Sequence, residues 1–354
     1  MNTISNHTKE AIELLQSLIQ TPSLSREEDK TATVLKIYLE KYCTNVNKLK
    51  NNIWVKNQHF DDHKPTILLN SHHDTVQANQ GYTRNPYDCK IEDDKLFGLG
   101  SNDAGGALVS LLATFLHFYS KENLTYNLIF AATAEEEISG AYGIELLYAQ
   151  LPSIDVAIIG EPTQMQMAVA EKGLLVLDCT VNGKAGHAAR EEGENAIYKA
   201  LKDIEWFQHF KFEKVSELLG PVKMSVTILN AGMQHNMVPE VCTFTVDIRI
   251  NELYSHREIL KIISENTSCL VMPRSTRIKS SSIPISHQLV QSGISIGRKV
   301  YGSPTTSDKA LISCPALKMG PGDSARSHTA DEFIYIKEIE EGIKNYIELL
   351  KNIL

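Results

Sequence analysis

The sequence predicts an α/β protein: a sheet domain covered by helices on both faces, interrupted by a smaller ferredoxin-like α+β domain. Two observations carry this. Over the first half, short and fully apolar runs alternate with runs of helical period, the pattern of strands buried on both faces. From about residue 172 the texture changes to strands that alternate apolar with polar, in the order β-α-β-β-α-β, and after about residue 282 the first pattern resumes.

The elements follow in order. The opening "MNTISNHTKEAIELLQSLIQTPSLS" places Ile12, Leu15, Leu18 and Ile19 at helical spacing, with charges breaking any apolar run; it reads as an amphipathic surface helix and not as a signal peptide. "TILLNSH" (66–72) is a buried strand. "AGGALVSLLATFLHFY" (104–119) is a helix with Leu108, Leu111, Leu112, Phe115 and Tyr119 on one face. "YNLIFAATA" (126–134) is a strand, "SGAYGIELLYAQL" a helix, and "IDVAIIG" (154–160) a third buried strand. The inserted set comprises 174–181, a helix at 195–209, 223–230, 242–250, a helix at 255–267 and a strand "STRIKSSS" at 275–282. "HQLVQSGISIGRKV", "CPALKMG" and the closing helix "IKEIEEGIKNYIELLKNIL" return to the first texture. The expected division is 1–171 with 283–354 as one domain and 172–282 as the insertion.

Composition sets limits. The 354 residues suffice for two cores, and 42% apolar with 22% charged is ordinary globular usage. Net charge is 35 − 43 = −8, with no basic stripe, which argues against a nucleic-acid partner. The six cysteines are scattered without a CxxC, as expected of reduced thiols in the cytoplasm. No run of about 18 apolar residues exists, so no membrane span is expected.

The chemistry gathers at strand ends. In "LLNSHHDTV", residues i and i+2 share a face, so His72 and Asp74 point one way and His73 the other. A carboxylate beside an imidazole fixes its tautomer, which makes His72 the better metal ligand and Asp74 its orienting partner. "GLGSNDAGG" puts Asp103 in a Gly-rich loop before a helix, where a helix cap is the plain alternative. "ATAEEEISG" puts Glu135, Glu136 and Glu137 after a core strand; three adjacent carboxylates repel and call for a cation. "IIGEPT" ends a strand on Glu161, and "MGPGDSARSHTADEF" carries His328 in a loop after another apolar strand. Five such residues on one rim of an open α/β sheet suggest one shared site. Imidazoles and carboxylates without thiolate suit catalytic Zn²⁺ or a similar divalent ion, and a carboxylate can bridge two ions about 3.5–4 Å apart.

In these motifs the chain resembles the M20 family of di-zinc peptidases and amidohydrolases, over nearly its whole length. The segments that match are "SHHDTV", "GLGSNDAGG", "EEEISG", "GEPT" and "GPGD…SHTADEF". The last of these is most similar to the acetylornithine deacetylase branch. The resemblance implies a zinc-peptidase-like catalytic domain of mixed sheet and an inserted lid and dimerisation domain. It implies two divalent metal ions, Zn²⁺ or Co²⁺, with Asp103 bridging, His72 and Glu161 on one ion and Glu137 and His328 on the other. Glu136 would be the general base; the run of three glutamates allows a shift by one, and the downstream "IxG" anchors the register chosen here. "GKAGHAAR" is similar to a family segment in which His187 would reach across a homodimer and stabilise the oxyanion. Asn236 and Arg249 match positions that hold the substrate carboxylate and the tetrahedral oxygen. One departure stands out: family members often carry Lys after the bridging Asp, and here the segment is Asp103-Ala104-Gly105-Gly106.

The implied activity is hydrolysis of an N-acyl amino acid, N-acetylornithine or its N-succinyl or citrulline counterparts, in arginine biosynthesis. Arg190 and Arg326 are candidate partners for a succinyl carboxylate, with surface charges as the plain alternative. A dipeptidase, a succinyl-diaminopimelate desuccinylase and an inactive binding protein on the same fold are the competing readings. A phosphate loop at "GLGSNDAGG" lacks the Gly-Lys-Ser/Thr ending.

Overall fold

The computed structural model describes residues 2–354. The chain divides into two compact units, one of residues 1–169, 282–301 and 307–354, the other of residues 170–281 and 302–306. It runs through α1 (Asn2–Ile19), α2 (Asp29–Leu39), β1 (Asn47–Leu49), β2 (Asn52–Lys56), β3 (Thr66–His72), β4 (Ile91–Glu92), β5 (Lys95–Phe97), α3 (Gly106–Phe118), β6 (Asn127–Thr133), α4 (Ile144–Tyr148), β7 (Val156–Ile159) and β8 (Met167–Glu171). Next come β9 (Gly173–Asn182), β10 (Gly186–His187), α5 (Ala196–His209), β11 (Lys223–Ala231), β12 (Met237–Val238), β13 (Val241–Ile250), α6 (His256–Asn266) and β14 (Leu270–Pro273). The chain closes with β15 (Ser281–Ser282), α7 (Gln288–Ser295), β16 (Val300–Ser303), β17 (Ala316–Lys318), β18 (Phe333–Tyr335) and α8 (Ile336–Lys351).

The first unit is built on a mixed sheet in the order β1-β2-β6-β3-β7-β17-β8. Strands β6, β3, β7 and β17 are parallel, while β2 and β8 flank them antiparallel. The apolar runs explain the two covered faces. Alternate residues Ile67, Leu69, Leu128, Phe130 and Ile158 enter one core with α1, α3 and α8. Their neighbours Leu68, Ile129, Ala131, Ala157 and Ile159 enter another with Ile144 and Leu147 of α4. The N-terminal helix buries Leu15, Leu18 and Ile19 as its periodicity predicts, with Leu14 buried beside them and Ile12 half-buried at the edge. Because β3, β6, β7 and β17 run the same way, their carboxyl ends open on one edge.

The second unit is an antiparallel sheet, β11-β13-β9-β14, of ferredoxin-like order. Leu175, Leu177, Cys179 and Val181 of β9 face Phe207 of α5 and Ile259 and Ile263 of α6. Asn195 caps α5, and a Ser255–Glu258 capping box starts α6.

Two expectations are corrected. The fourth strand of this sheet is Leu270–Pro273 and not 275–282. The apolar Leu-Val-Met run pairs with β9 directly after α6, and Pro273, which has no N–H, ends it. The helix expected over 139–151 shrinks to Ile144–Tyr148, because Gly140 and Gly143 interrupt its first turns. Among the described residues no helix is long and apolar enough to cross a membrane.

Candidate metal centre

Four of the sequence-predicted residues lie at or beyond the carboxyl ends of the parallel strands. His72 ends β3, Glu136 and Glu137 follow β6, and Glu161 follows β7. His328 sits on the loop between β17 and β18. Asp103 lies in a π-helical turn, Ser101–Gly105, that enters α3. It does not cap that helix through its side chain, so the plain alternative for Asp103 fails.

His72 is the hub. Its ring is 1% exposed. Nδ1 lies 3.1 Å from the main-chain oxygen of Asp74 and 3.4 Å from its carboxylate. Both atoms can only accept, so Nδ1 carries a proton and Nε2 is the nitrogen left to face a ligand. That Nε2 is buried and makes no hydrogen bond. Around it stand Asp103 Oδ1 at 3.4 Å, Glu136 Oε2 at 3.9 Å and Glu161 Oε1 at 3.9 Å.

The second histidine behaves otherwise. His73 Nε2 faces the Asn51 carbonyl at 2.9 Å and Nδ1 faces the Thr31 hydroxyl at 2.9 Å. It is a satisfied structural side chain on the opposite face.

Asp74 does more than orient the ring. Its carboxylate accepts the main-chain N–H groups of Glu136 (3.1 Å) and Glu137 (3.2 Å) and the Ser25 hydroxyl (2.7 Å). It therefore ties the acidic loop to the end of β3. Glu28, wholly buried, performs a similar service one residue earlier by accepting from the N–H of Glu135 at 3.2 Å. Glu135 turns the chain at φ +57°, which aims Glu136 and Glu137 inward.

At the other side His328 Nε2 is 2.9 Å from Glu137 Oε2 and 3.7 Å from Asp103 Oδ2. The Asp103 carboxylate thus spans the interval between the two imidazoles. Two groups, His72 with Asp103 and Glu137, and His72 with Glu136 and Glu161, have ligand atoms within 4.8 Å of one another.

The electrostatics are those of crowded acids. Burial, then repulsion from Glu161, Asp308 and Glu137, holds the Glu136 carboxyl well above its ordinary value despite His72. Burial and Asp103 push Glu161 up to about 8, against His72 and Lys318. Glu137 is likewise raised by burial, with His328 opposing. Burial alone would lower His72, yet Asp103 and Asp74 outweigh it and hold the imidazole well above its usual value. Such a set is stable when a cation takes the place of the proton. The donors fit one: two imidazole nitrogens and several carboxylates, without thiolate.

The expected residues of the second unit lie in two places. Pairing of β10 with β12 sets His187 opposite Met237, and the N–H of Ala188 bonds the Asn236 carbonyl at 3.0 Å. Both His187 and Asn236 are exposed. Arg249 lies near the far end of β13, where Asp247 holds its Nε at 2.8 Å and Nη2 at 3.0 Å. Arg326 is committed to Glu338, with its Nη1 2.8 Å from one oxygen, and packs over Phe333. A succinyl carboxylate would have to displace that pair. Arg190 is exposed.

A family model described as peptidase family M20/M25/M40 matches residues 68–352, most of the chain and every residue of the centre. The chain belongs to this family. An acetylornithine deacetylase of Buchnera aphidicola subsp. Schizaphis graminum is 27% identical over 375 residues, covering 96% of this chain and 97% of that protein. A putative LysW-lysine/LysW-ornithine hydrolase of Pyrobaculum aerophilum is 25% identical, covering 94% of each. Succinyl-diaminopimelate desuccinylase 2 of a Ruegeria species is 24% identical, covering 75% of this chain and 73% of the other. Among solved structures, the M20 family metallo-carboxypeptidase Sso-CP2 of Sulfolobus solfataricus aligns with a TM-score of 0.77 at 19% identity, covering 98% and 100%. The Bacillus subtilis YXEP protein, described as a dinuclear metal binding peptidase of this family, aligns at 0.71 and 14%, covering 98% of each. At these identities the structural likeness speaks for the M20 fold: a mixed-sheet α/β unit with a small antiparallel-sheet unit inserted.

Sequence reasoning missed Asp308, Glu28 and Glu332. Asp308 is 2% exposed, accepts from Asn70 at 2.9 Å and Thr133 at 2.7 Å, and lies close enough to raise Glu136. Nothing in "TTSDKAL" marks it. Glu332 had one signal: an acidic pair directly before the apolar "FIY".

Proposed function

We propose that this M20 metallohydrolase removes a short acyl group from the α-nitrogen of ornithine or a close relation such as citrulline. The observation that carries the metal-dependent reading is the unpartnered Nε2 of His72, buried and ringed by three carboxylates. Two divalent ions, Zn²⁺ or Co²⁺, would be held by His72 and Glu161 on one side and Glu137 and His328 on the other, with Asp103 between. Bound there, the pair would acidify water and polarise the amide carbonyl.

The protein's own groups then have distinct tasks. Glu136, held by the Asp74 hydrogen bond to its main-chain N–H, accepts the proton of the attacking water. It returns that proton to the leaving amine. Asp74 keeps the His72 proton on Nδ1, so Nε2 stays a donor of electrons. His187, Asn236 and Arg249 would hold the oxyanion and the substrate carboxylate.

The placement of those last three supports a homodimer. From Val241 to Arg249 is eight residues of β13, roughly 27 Å at about 3.4 Å per residue. His187 and Asn236 lie on the ribbon beyond the Val241 end. Groups so far apart fit a scheme in which one chain supplies Arg249 and a second copy supplies His187 and Asn236. The edge strand β11 also exposes Ile228 and Leu229, and α5 exposes Tyr198 and Leu201.

For the substrate, these three relatives are named for acetylornithine, for LysW-lysine and LysW-ornithine, and for succinyl-diaminopimelate, that is, for conjugates of ornithine, lysine or diaminopimelate. All are amino acids with a second amino group. A hydrolysis panel tests the reading: N-acetylornithine, N-succinylornithine, N-acetylcitrulline, N-succinyldiaminopimelate and simple dipeptides, with metal content measured in parallel. Release of ornithine or citrulline above all other products is expected. Turnover confined to dipeptides or to the diaminopimelate compound would overturn the substrate, and no turnover with two ions bound would overturn the enzyme.

A further inference from the structure

We propose that Glu332, with Asn102, is a positioning residue that fixes the Asp103 carboxylate between His72 and His328. The inference rests on the metal-centre reading given above and adds to it the groups that set the centre's geometry.

Asp103 has a demanding place. One of its oxygens is 3.4 Å from His72 Nε2 and the other 3.7 Å from His328 Nε2, and the two histidines come from segments far apart in the chain. The Asp side chain is short, so where its carboxylate lies depends on where its main chain is held. That main chain is an irregular turn, with Asp103 at φ −115°, ψ 98°; the Gly105 N–H closes it on the Gly100 carbonyl at 3.0 Å, while the N–H groups of Asn102 and Asp103 bond a side chain from outside it.

Glu332 holds it. Pairing of β18 with β5 puts Phe333 opposite Phe97, and the Gly98 N–H bonds the Glu332 carbonyl at 2.9 Å. This register delivers the Glu332 side chain beneath the 98–105 turn. Its carboxylate is 2% exposed and accepts three main-chain N–H groups: Gly100 at 3.0 Å, Asn102 at 2.8 Å and Asp103 itself at 2.9 Å. Converging N–H groups make a small anion nest, and here a residue of the chain fills it. Asn102 makes the second tie. Its amide donates to the Asp323 carbonyl at 3.0 Å and accepts the Asp323 N–H at 2.9 Å, joining the Asp103 turn to the loop that bears His328.

A buried carboxylate beside Asp103 is an expensive choice if only hydrogen-bond acceptors were needed. It is a suitable choice where cations lie nearby and where three donors must be gripped at fixed directions. Loss of Glu332 would free the Asp103 main chain, and the carboxylate would no longer span both sites.

The test uses the full chain and Co²⁺ alone as probe. Wild type, Glu332→Gln, Glu332→Ala and Asn102→Ala are stripped of metal, titrated with Co²⁺, and followed by visible absorption. Melting of each metal-free protein is measured alongside. Asp203→Asn serves as a control: Asp203 is a buried carboxylate of the second unit that accepts from Ser268. It is expected to lower melting and leave Co²⁺ affinity alone. Glu332→Ala is expected to weaken Co²⁺ binding by about 10–100-fold, Glu332→Gln by less, and both to alter the cobalt spectrum. At saturating metal their kcat should fall with KM little changed. Should Glu332→Gln and Asn102→Ala melt lower yet keep wild-type Co²⁺ affinity, stoichiometry and spectrum, the positioning role is wrong. A wild-type chain that takes up no Co²⁺ would instead overturn the metal centre, and this role with it.

Discussion

At the residue scale the decisive contrast is between two adjacent histidines. His73 has both nitrogens engaged by groups of the fold, and His72 has one nitrogen engaged and one bare. The alternation of side chains along a strand told them apart without a structure. It also gave the direction of Asp74. It did not reveal that the Asp74 carboxylate spends its lone pairs on the main chain of Glu136 and Glu137, which are 62 and 63 residues away. Replacing Glu136 by Gln should leave both ions bound and lower kcat by roughly 10²–10⁴-fold, the usual range for general-base loss. Near-wild-type turnover with two ions per chain would reassign the base. His72→Ala and His328→Ala should instead lose bound metal, measured by elemental analysis, before any change in the fold is seen.

At the scale of elements, the strand ends and the turns after them do the positioning. Strand identities were legible because β3, β6 and β7, buried along their whole length, each carry a continuous apolar run. The strand at Leu270–Pro273 was missed because a short edge strand with one wet side carries little pattern. The turns were less legible still, since their shapes are set by partners remote in sequence. Gly320 shows how tight they are: a Cβ there would lie 2.5 Å from the Glu161 carbonyl oxygen and 2.9 Å from Ala107 Cβ. Gly320→Ala should therefore destabilise the protein by about 1–3 kcal/mol, as overpacking does, and weaken metal binding through Glu161. Unchanged melting would mean that the β7 and β17 ends can separate freely. Helix α3 offers a test remote from the centre. Burial, then Lys121, His7 and Lys351, lowers His117 from 6.5 to about 4. The folded state therefore disfavours its protonation: the stability is present above pH 6.5 and drains away as pH falls toward 4. His117→Gln should lose less melting temperature than wild type over that interval, and parallel losses would remove His117 as a source.

For the whole molecule, metal and assembly are the quantities to measure. The crowded carboxylates predict that chelation lowers the melting temperature and that Zn²⁺ or Co²⁺ restores it. A ligand at a hundred times its Kd adds about 2.7 kcal/mol to the native state. No shift on stripping and reloading would mean that the acidic cluster is stable by itself. For assembly, Leu229→Glu on the exposed edge of β11 should yield monomers by light scattering and sharply reduced activity. Mixing His187→Ala with Glu136→Gln chains should recover part of the activity; well-formed mixed dimers without recovery would place His187 outside the neighbouring site.

The sequence by itself determined the α/β sheet, the ferredoxin-like strand order and the residue types able to bind metal, because apolar periodicity and strand-end chemistry are local properties of a chain. Only the tertiary structure decided that Asp103, Glu136 and Glu161 gather around His72 and that Asp103 and Glu137 meet His328, and that Glu332 and Asp74 hold the main chains of Asp103, Glu136 and Glu137. Distances between segments hundreds of residues apart follow from strand order, register and packing, and these are settled only when the whole core closes.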